Sequence, residues 1–258
     1  MRQGVLELRE FYATPLGRVA RQMVSRKVAE AWGDTHGLDV LALGYATPFL
    51  DGLGDDASRA VAVMPAAQGV ECWPVGGSNR ACLAPESALP LPNALFDRVL
   101  AVHALEESDN PLLLLEEICR VMAPSGRVIL AVAARHGLWA DAETSPFGHG
   151  RPFSRRQLET LLREAELSPV SWTRALYAPP VNWASRWAEG FEQAGALLWP
   201  SFAGVILMEA IKQTFAVRPK GRTARVPIRG LPGFAPAPIG GKVAYPGQSS
   251  TTAGSGTG

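Results

Sequence analysis

Apolar positions follow two rhythms along this chain. Between residues 14 and 32, Leu16, Val19, Ala20, Met23, Val24, Val28 and Ala31 recur every three or four positions, the stripe of a helix with one buried face. Thr14-Pro15 suits its start. Arg18, Arg21, Arg26 and Lys27 take the other side, either as a solvated face or as one that touches phosphates. Short unbroken apolar runs then appear at 39–44, 59–64, 81–84, 97–102 and 127–133, as in strands buried on both faces. Helical spacing returns at 112–122, opened by Pro111 and stopped by Pro124-Ser125-Gly126. It returns again at 154–165, where Ser154 and Gln157 form a capping box and Leu158, Leu161, Leu162 and Ala165 face inward. Two further strands fall at 170–176 and 204–211, with no clear helix between them. Strands alternating with helices predict an α/β fold, doubly wound around a mainly parallel sheet. The last two strands predict an antiparallel edge pair.

The chain is organised around residues 39–48. Val40, Leu41 and Leu43 form the strand, Gly44 ends it, and Thr47-Pro48 suits the start of a brief helix ending near Gly52 or Gly54. In an open parallel sheet such a turn lies at the carboxyl ends of the strands, where ligands bind. An ordinary strand-to-loop junction is the alternative.

Composition narrows the partners. The 258 residues are 47% hydrophobic and 19% charged, with a formal net charge of +1, so no global field draws nucleic acid or a membrane. The average hides an asymmetry: residues 216–258 hold six basic and no acidic side chains, leaving about −5 on residues 1–215. That segment is rich in Pro and Gly and is expected to be a disordered basic tail, after an N-terminal amphipathic helix (1–35) and a main domain (36–215). Cys72, Cys82 and Cys119 show neither CxxC nor Cys/His spacing, so no metal site and a reducing compartment are expected. No secretory h-region and no membrane-length apolar run is present, which points to a cytoplasmic protein without membrane association. Hydrolase and NTPase signatures are absent.

Three blocks then carry a resemblance over roughly residues 36–213. Val40-Leu41-Ala42-Leu43-Gly44-Tyr45-Ala46 occupies the place of a first, Gly-rich motif. Leu89-Pro90-Leu91-Pro92-Asn93-Ala94-Leu95-Phe96-Asp97-Arg98-Val99 resembles "LPFPDxSFDxV", and Glu117-Ile118-Cys119-Arg120-Val121-Met122-Ala123-Pro124-Ser125-Gly126-Arg127 is similar to "EIxRVLKPGGR". Together they resemble the class I S-adenosylmethionine-dependent methyltransferases of the Methyltransferase-11 type. The resemblance implies a Rossmann-like, seven-stranded sheet, S-adenosylmethionine as cofactor and methyl transfer to an acceptor. The first motif departs from the family: Gly-x-Gly-x-Gly is here Gly44-x-Ala46-x-Pro48, the acidic residue two before it is Ala42, and the second strand ends at Met64-Pro65 rather than in a carboxylate. These losses motivate the rival reading, a non-catalytic methyltransferase-like binding or scaffold protein.

By the same resemblance, Gly44, Tyr45, Ala46 and Glu86 are the candidate cofactor-binding residues, and Phe11-Tyr12 a candidate lid. Glu86 has a solvated loop carboxylate as its alternative. His103, directly after the fourth strand, is the candidate catalytic residue, as general base or substrate contact; the alternative is a strand-end histidine bonded to backbone. The loop 135–153 follows the fifth strand and is unusually rich in Gly and aromatics. Trp139, His149 and Arg151 on it are the candidate substrate-binding residues, unless the loop is merely packed. The acceptor is not readable; a small molecule is favoured, nucleic acid is not, because neither basic stretch carries interleaved aromatics. The oligomeric state is not readable either.

Overall fold

The computed structural model describes residues 3–140, 142, 144–181, 187–198, 202–213 and 235–236. The expected tail 216–258 therefore lies outside the described residues, apart from Ala235–Pro236. Two helices open the chain. Helix α1 (Val5–Ala13) was not expected; its buried stripe is short, only Val5, Leu8 and Tyr12 at i, i+3 and i+7. Helix α2 (Pro15–Trp32) is the expected stripe, capped by the Thr14 hydroxyl, which accepts from the Gly17 N–H.

Strand β1 (Asp39–Gly44) follows, then β2 (Arg59–Pro65), β3 (Ala81–Ala84) and β4 (Phe96–Val102). Helix α3 (Pro111–Val121) leads into β5 (Met122–Ala133), and α4 (Arg155–Glu164) into β6 (Leu167–Ala175). Helix α5 (Ala188–Leu198) separates β6 from β7 (Val205–Lys212), where no helix was expected. A two-residue β8 (Ala235–Pro236) pairs with β6.

The eight strands lie in the order β3-β2-β1-β4-β5-β7-β6-β8. Strands β1 to β5 pair in parallel, while β7 runs antiparallel to both β5 and β6. The antiparallel edge is tied by one buried carboxylate. Glu209 of β7 is 1% exposed and accepts from Arg127 of β5 (2.9 Å) and from the Ser171 hydroxyl of β6 (2.7 Å). One face of the sheet packs against α1 and α2, the other against α3 and α4.

The first half of the sheet is thinly helical. Between β1 and β2 the expected helix shrinks to one 3-10 turn at Thr47–Phe49, since Gly52, Gly54 and the acidic pair Asp55-Asp56 leave no room for more. Residues 66–80 hold only turns. Helix α2 supplies the cover on this face instead. Among the described residues no helix is long and apolar enough to cross a membrane, and no cluster of three His, Cys, Asp or Glu could hold a metal.

Candidate functional site

The chain runs from β1 outward to β2 and β3, then returns to lay β4 and β5 on the other side of β1. The order reverses between β1 and β4, and a crevice at the carboxyl ends of such strands is where open α/β sheets bind ligands. Gly44 ends β1 there with φ +74°, and a Cβ added to it would stand 2.3 Å from the Val102 carbonyl oxygen. Its bare backbone lets the turn press against β4, and the Tyr45 N–H donates to that same carbonyl (2.9 Å).

Rings converge above this turn. Tyr45 is 2% exposed, stacks on Tyr12 (5.8 Å, 18°), and its hydroxyl hydrogen-bonds Glu71. Phe49 meets Tyr12 edge-on at 5.3 Å. The Tyr12 hydroxyl lies 2.6 Å from His103 Nε2. His103 sits in the left-handed region (φ +50°) and touches Phe147 at 4.6 Å. Burial raises the Tyr12 phenol well above its ordinary range, with the Tyr45 and Glu106 charges acting the same way. Tyr12 therefore stays protonated and donates, and His103 Nε2 accepts.

Burial, then the neighbouring His149 charge, pushes His103 down from 6.5 to about 3. It is neutral in ordinary buffers and a weak base. A pH effect follows. Below pH 6.5 the unfolded chain binds a proton on His103 that the folded chain refuses until about pH 3, so this contribution is full above pH 6.5 and is lost as pH falls. Each unit within that window should cost about 1.4 kcal/mol. Comparing urea unfolding of the wild type and His103→Asn from pH 7 to pH 4 tests this: the variant should show the shallower fall. Parallel curves would refute it.

Farther along the same edge, Glu106 is 4% exposed and accepts from the Ala133 N–H (3.0 Å). Arg151 donates from its backbone to the Glu106 carbonyl (2.8 Å) and from its guanidinium to the Ser108 carbonyl (2.6 Å). These residues border a polar cavity of about 470 Å³ between the loops after β2, β4 and β5, with Glu107 and Asp109 on its wall. The crevice therefore has an aromatic half at Gly44 and a charged half at Glu106.

The expected site residues divide accordingly. Gly44, Tyr45, Ala46 and His103 meet at the switch point, and His103 bonds a side chain rather than backbone. Glu86 is half-buried after β3, two strands from β1. Trp139 does not face a pocket: it is 1% exposed, lies edge-on to Phe147 at 5.9 Å, and its Nε1–H donates to the Ala178 carbonyl (2.8 Å). His149 is half-buried, with Nδ1 on the Ser145 carbonyl (3.0 Å), and Arg151 is exposed beside the polar cavity.

The expected cofactor needs partners for a ribose diol, an adenine and an amino-acid head. Strand β2 ends in Met64 and Pro65, both fully buried, without a carboxylate. Two polar groups stand on the loop that follows: Glu71, beside Tyr45, and Gln68, 2% exposed, with neither carboxamide atom partnered. A carboxamide can both give to and take from ribose hydroxyls, so Gln68, the Gly44–Ala46 turn and Glu86 suit the group. The sequence carries no signal for Gln68, which is one polar residue in a turn-rich loop.

Comparisons with known proteins agree with the fold. No curated protein sequence matches the chain. A possible histamine N-methyltransferase from Thermotoga maritima superposes with a TM-score of 0.56 at 18% identity, over 81% of this chain and 96% of that one. The [4+2]-cyclase SpnF gives 0.53 at 20%, over 75% and 80%. A 1,6-didemethyltoxoflavin-N1-methyltransferase from Burkholderia thailandensis, with bound 1,6-didemethyltoxoflavin and S-adenosylhomocysteine, gives 0.50 at 19%, over 78% and 79%. These likenesses concern the fold. The family model described as a methyltransferase domain matches residues 22–171, more than half the chain. From the middle of α2 to the middle of β6, the chain belongs to the S-adenosylmethionine-dependent methyltransferase family.

Proposed function

We propose that this chain transfers a methyl group from S-adenosylmethionine to a small-molecule acceptor held between the loops after β4 and β5. The observation that carries the reading is the two-part crevice: the Gly44 turn clamped on Val102, beside a polar cavity of about 470 Å³ bounded by Glu106 and Arg151. A cavity of that size suits a small molecule. Bound there, the sulfonium supplies the methyl as an electrophile. The chain's task is then to position the acceptor and exclude water. Gln68 and the Gly44–Ala46 turn hold the cofactor, with Glu86 at its adenine end. Neutral His103, whose Nε2 accepts from Tyr12, contacts the acceptor through its other ring nitrogen, and its depressed basicity makes it an orienting group more than a proton sink. His149 and Arg151 give the acceptor polar contacts at the loop tip, whereas Trp139 supports that loop from beneath.

The test is calorimetry of the full chain with S-adenosylhomocysteine. Lacking the ribose carboxylate, worth about 1.5–3 kcal/mol, the site should bind roughly ten- to a hundredfold more weakly than one that keeps it. Heat of binding below about 1 mM ligand is the expected result. Silence at that concentration would favour the second reading, a methyltransferase-like protein without turnover. That reading draws on the buried rings of Tyr12, Tyr45 and Phe49 in the crevice.

A further inference from the structure

A second cavity, of about 280 Å³, lies between α5 and the loops that follow β5 and β6. Leu138, Tyr177, Pro179, Phe191, Gly195 and Phe202 line it, and none of them carries a charge. It shares no residue with the polar cavity at Glu106. Its walls are pinned together. The N–H groups of Leu176 and Tyr177, at the end of β6, both donate to the Glu192 carboxylate of α5 (2.9 Å each), across a turn in which Leu176 takes a left-handed φ of +65°. Gly195 lets α5 press against that turn, since a Cβ there would overlap Tyr177 Cβ. Trp139 backs the cavity: it follows Leu138 in the chain, and its Nε1–H donates to the carbonyl of Ala178, between Tyr177 and Pro179. Its ring lies edge-on to Phe147, and Phe147 meets His103. Two fully buried rings thus stand between this cavity and the candidate acceptor contact.

We propose that this cavity binds a neutral, largely apolar small molecule of one or two rings, at a site separate from the methyl-transfer crevice. Its volume sets the size: it falls just short of the roughly 300 Å³ at which sites for drug-sized ligands begin. Its lining sets the charge, because an ion entering here would give up its water and meet no opposite charge. The Tyr177 phenol is the single polar side chain in that lining, and burial above all holds it above its ordinary range, so it stays protonated. It is the group that pairs with a hydroxyl or carbonyl on the ligand. The apolar surface also runs on past the cavity. Trp187, just before α5, is followed by Phe191, Gly195 and Leu198 at spacings of four, four and three, which puts all four on one side of the helix. The middle two line the cavity, while Trp187 and Leu198 are 69% and 60% exposed. Leu138 and Phe202 at the mouth are exposed as well. A continuous exposed apolar patch around a hollow marks a place where something binds, and the hollow admits a compact ligand. This inference stands apart from the cofactor reading.

The probe is 2-naphthol, two rings with one hydroxyl, titrated into the full chain by calorimetry. Binding below about 1 mM is expected, with 2-naphthoate, the same rings bearing a carboxylate, at least about tenfold weaker. Leu138→Glu and Phe202→Glu place a carboxylate at the exposed mouth. Each should weaken naphthol binding at least about tenfold and leave the thermal midpoint and the affinity for S-adenosylhomocysteine unchanged. Two positions are used so that a folding defect in one variant still leaves the other to decide. Naphthol and naphthoate binding alike, or naphthol affinity untouched by both substitutions, overturns the site. Competition between naphthol and S-adenosylhomocysteine, or methylation of naphthol by S-adenosylmethionine, also overturns it, since either places the probe in the crevice. A dimer that Leu198→Glu splits, with no naphthol bound by the wild type, gives this face to a second copy and overturns it too. Naphthol binding without S-adenosylhomocysteine binding supports this site and overturns the cofactor reading instead.

Discussion

Trp139→Ala is expected to lower the unfolding free energy by about 4 kcal/mol, read as a shift of the urea midpoint at unchanged slope. Trp139 is among the largest fully buried side chains. Gly204 shows how closely it is fitted: a Cβ there would stand 2.3 Å from Trp139 Cδ1. The substitution also strips the Ala178 carbonyl of its indole donor. His149→Ala and Arg151→Ala, at half-buried and exposed positions on the same loop, should each cost less than about 1 kcal/mol and act on turnover instead. A cost below about 1 kcal/mol for Trp139→Ala would return that side chain to the acceptor pocket.

Gly44→Ala is expected to cost about 3–5 kcal/mol, for two separable reasons. Its φ of +74° disfavours any side chain, and the new Cβ would stand 2.3 Å from the Val102 oxygen and 2.9 Å from Ala104 Cβ. Both obstacles belong to β4 and the turn after it, so neither can rotate away. Gly37→Ala is the control: it shares φ +74° but meets nothing within 4 Å. That variant should lose only about 1 kcal/mol, and the difference between the two isolates the close approach of β1 to β4. Equal losses would mean that the approach is soft and that Gly44 serves conformation alone.

How much of this was legible in the sequence depended on whether an element carries its own signal. The capping box at Ser154 and Gln157 is local chemistry, and both of its bonds form. Strands buried on both faces announce themselves by unbroken apolar runs, and β1 begins and ends where its run does. The helical spacing at 112–122 was likewise legible: α3 buries Leu114, Leu115, Ile118, Cys119 and Val121, with Leu112 packed at the margin of the same cluster. Helix α1 left little trace because its stripe is only three residues long, and its place is decided by partners ninety positions away. Pro124-Ser125-Gly126 was read as a stop, yet β5 begins already at Met122 and pairs with Phe96 across a register shift before regular pairing resumes at Arg127. The aromatic loop was the hardest to read. Trp139 and Phe147 among glycines suit a pocket wall and a packed loop alike, and only burial separates the two. The same holds for His103: its position was legible from the end of β4, but its partner Tyr12 was not.

The two flanks of the sheet have a consequence for life at high concentration. On one side it ends in β3, four residues long; on the other in β8, two residues long and half proline. A growing β-assembly needs a row of free N–H and C=O groups to copy; among the described residues one flank is only four residues long, and β8 covers Ser171 and Trp172 of the nine-residue β6. Pro236 lies opposite Ser171 and has no N–H to donate to a newcomer. Trimming Ala235–Pro236 would uncover Ser171 and Trp172 in the middle of β6 and lengthen the edge open to a newcomer.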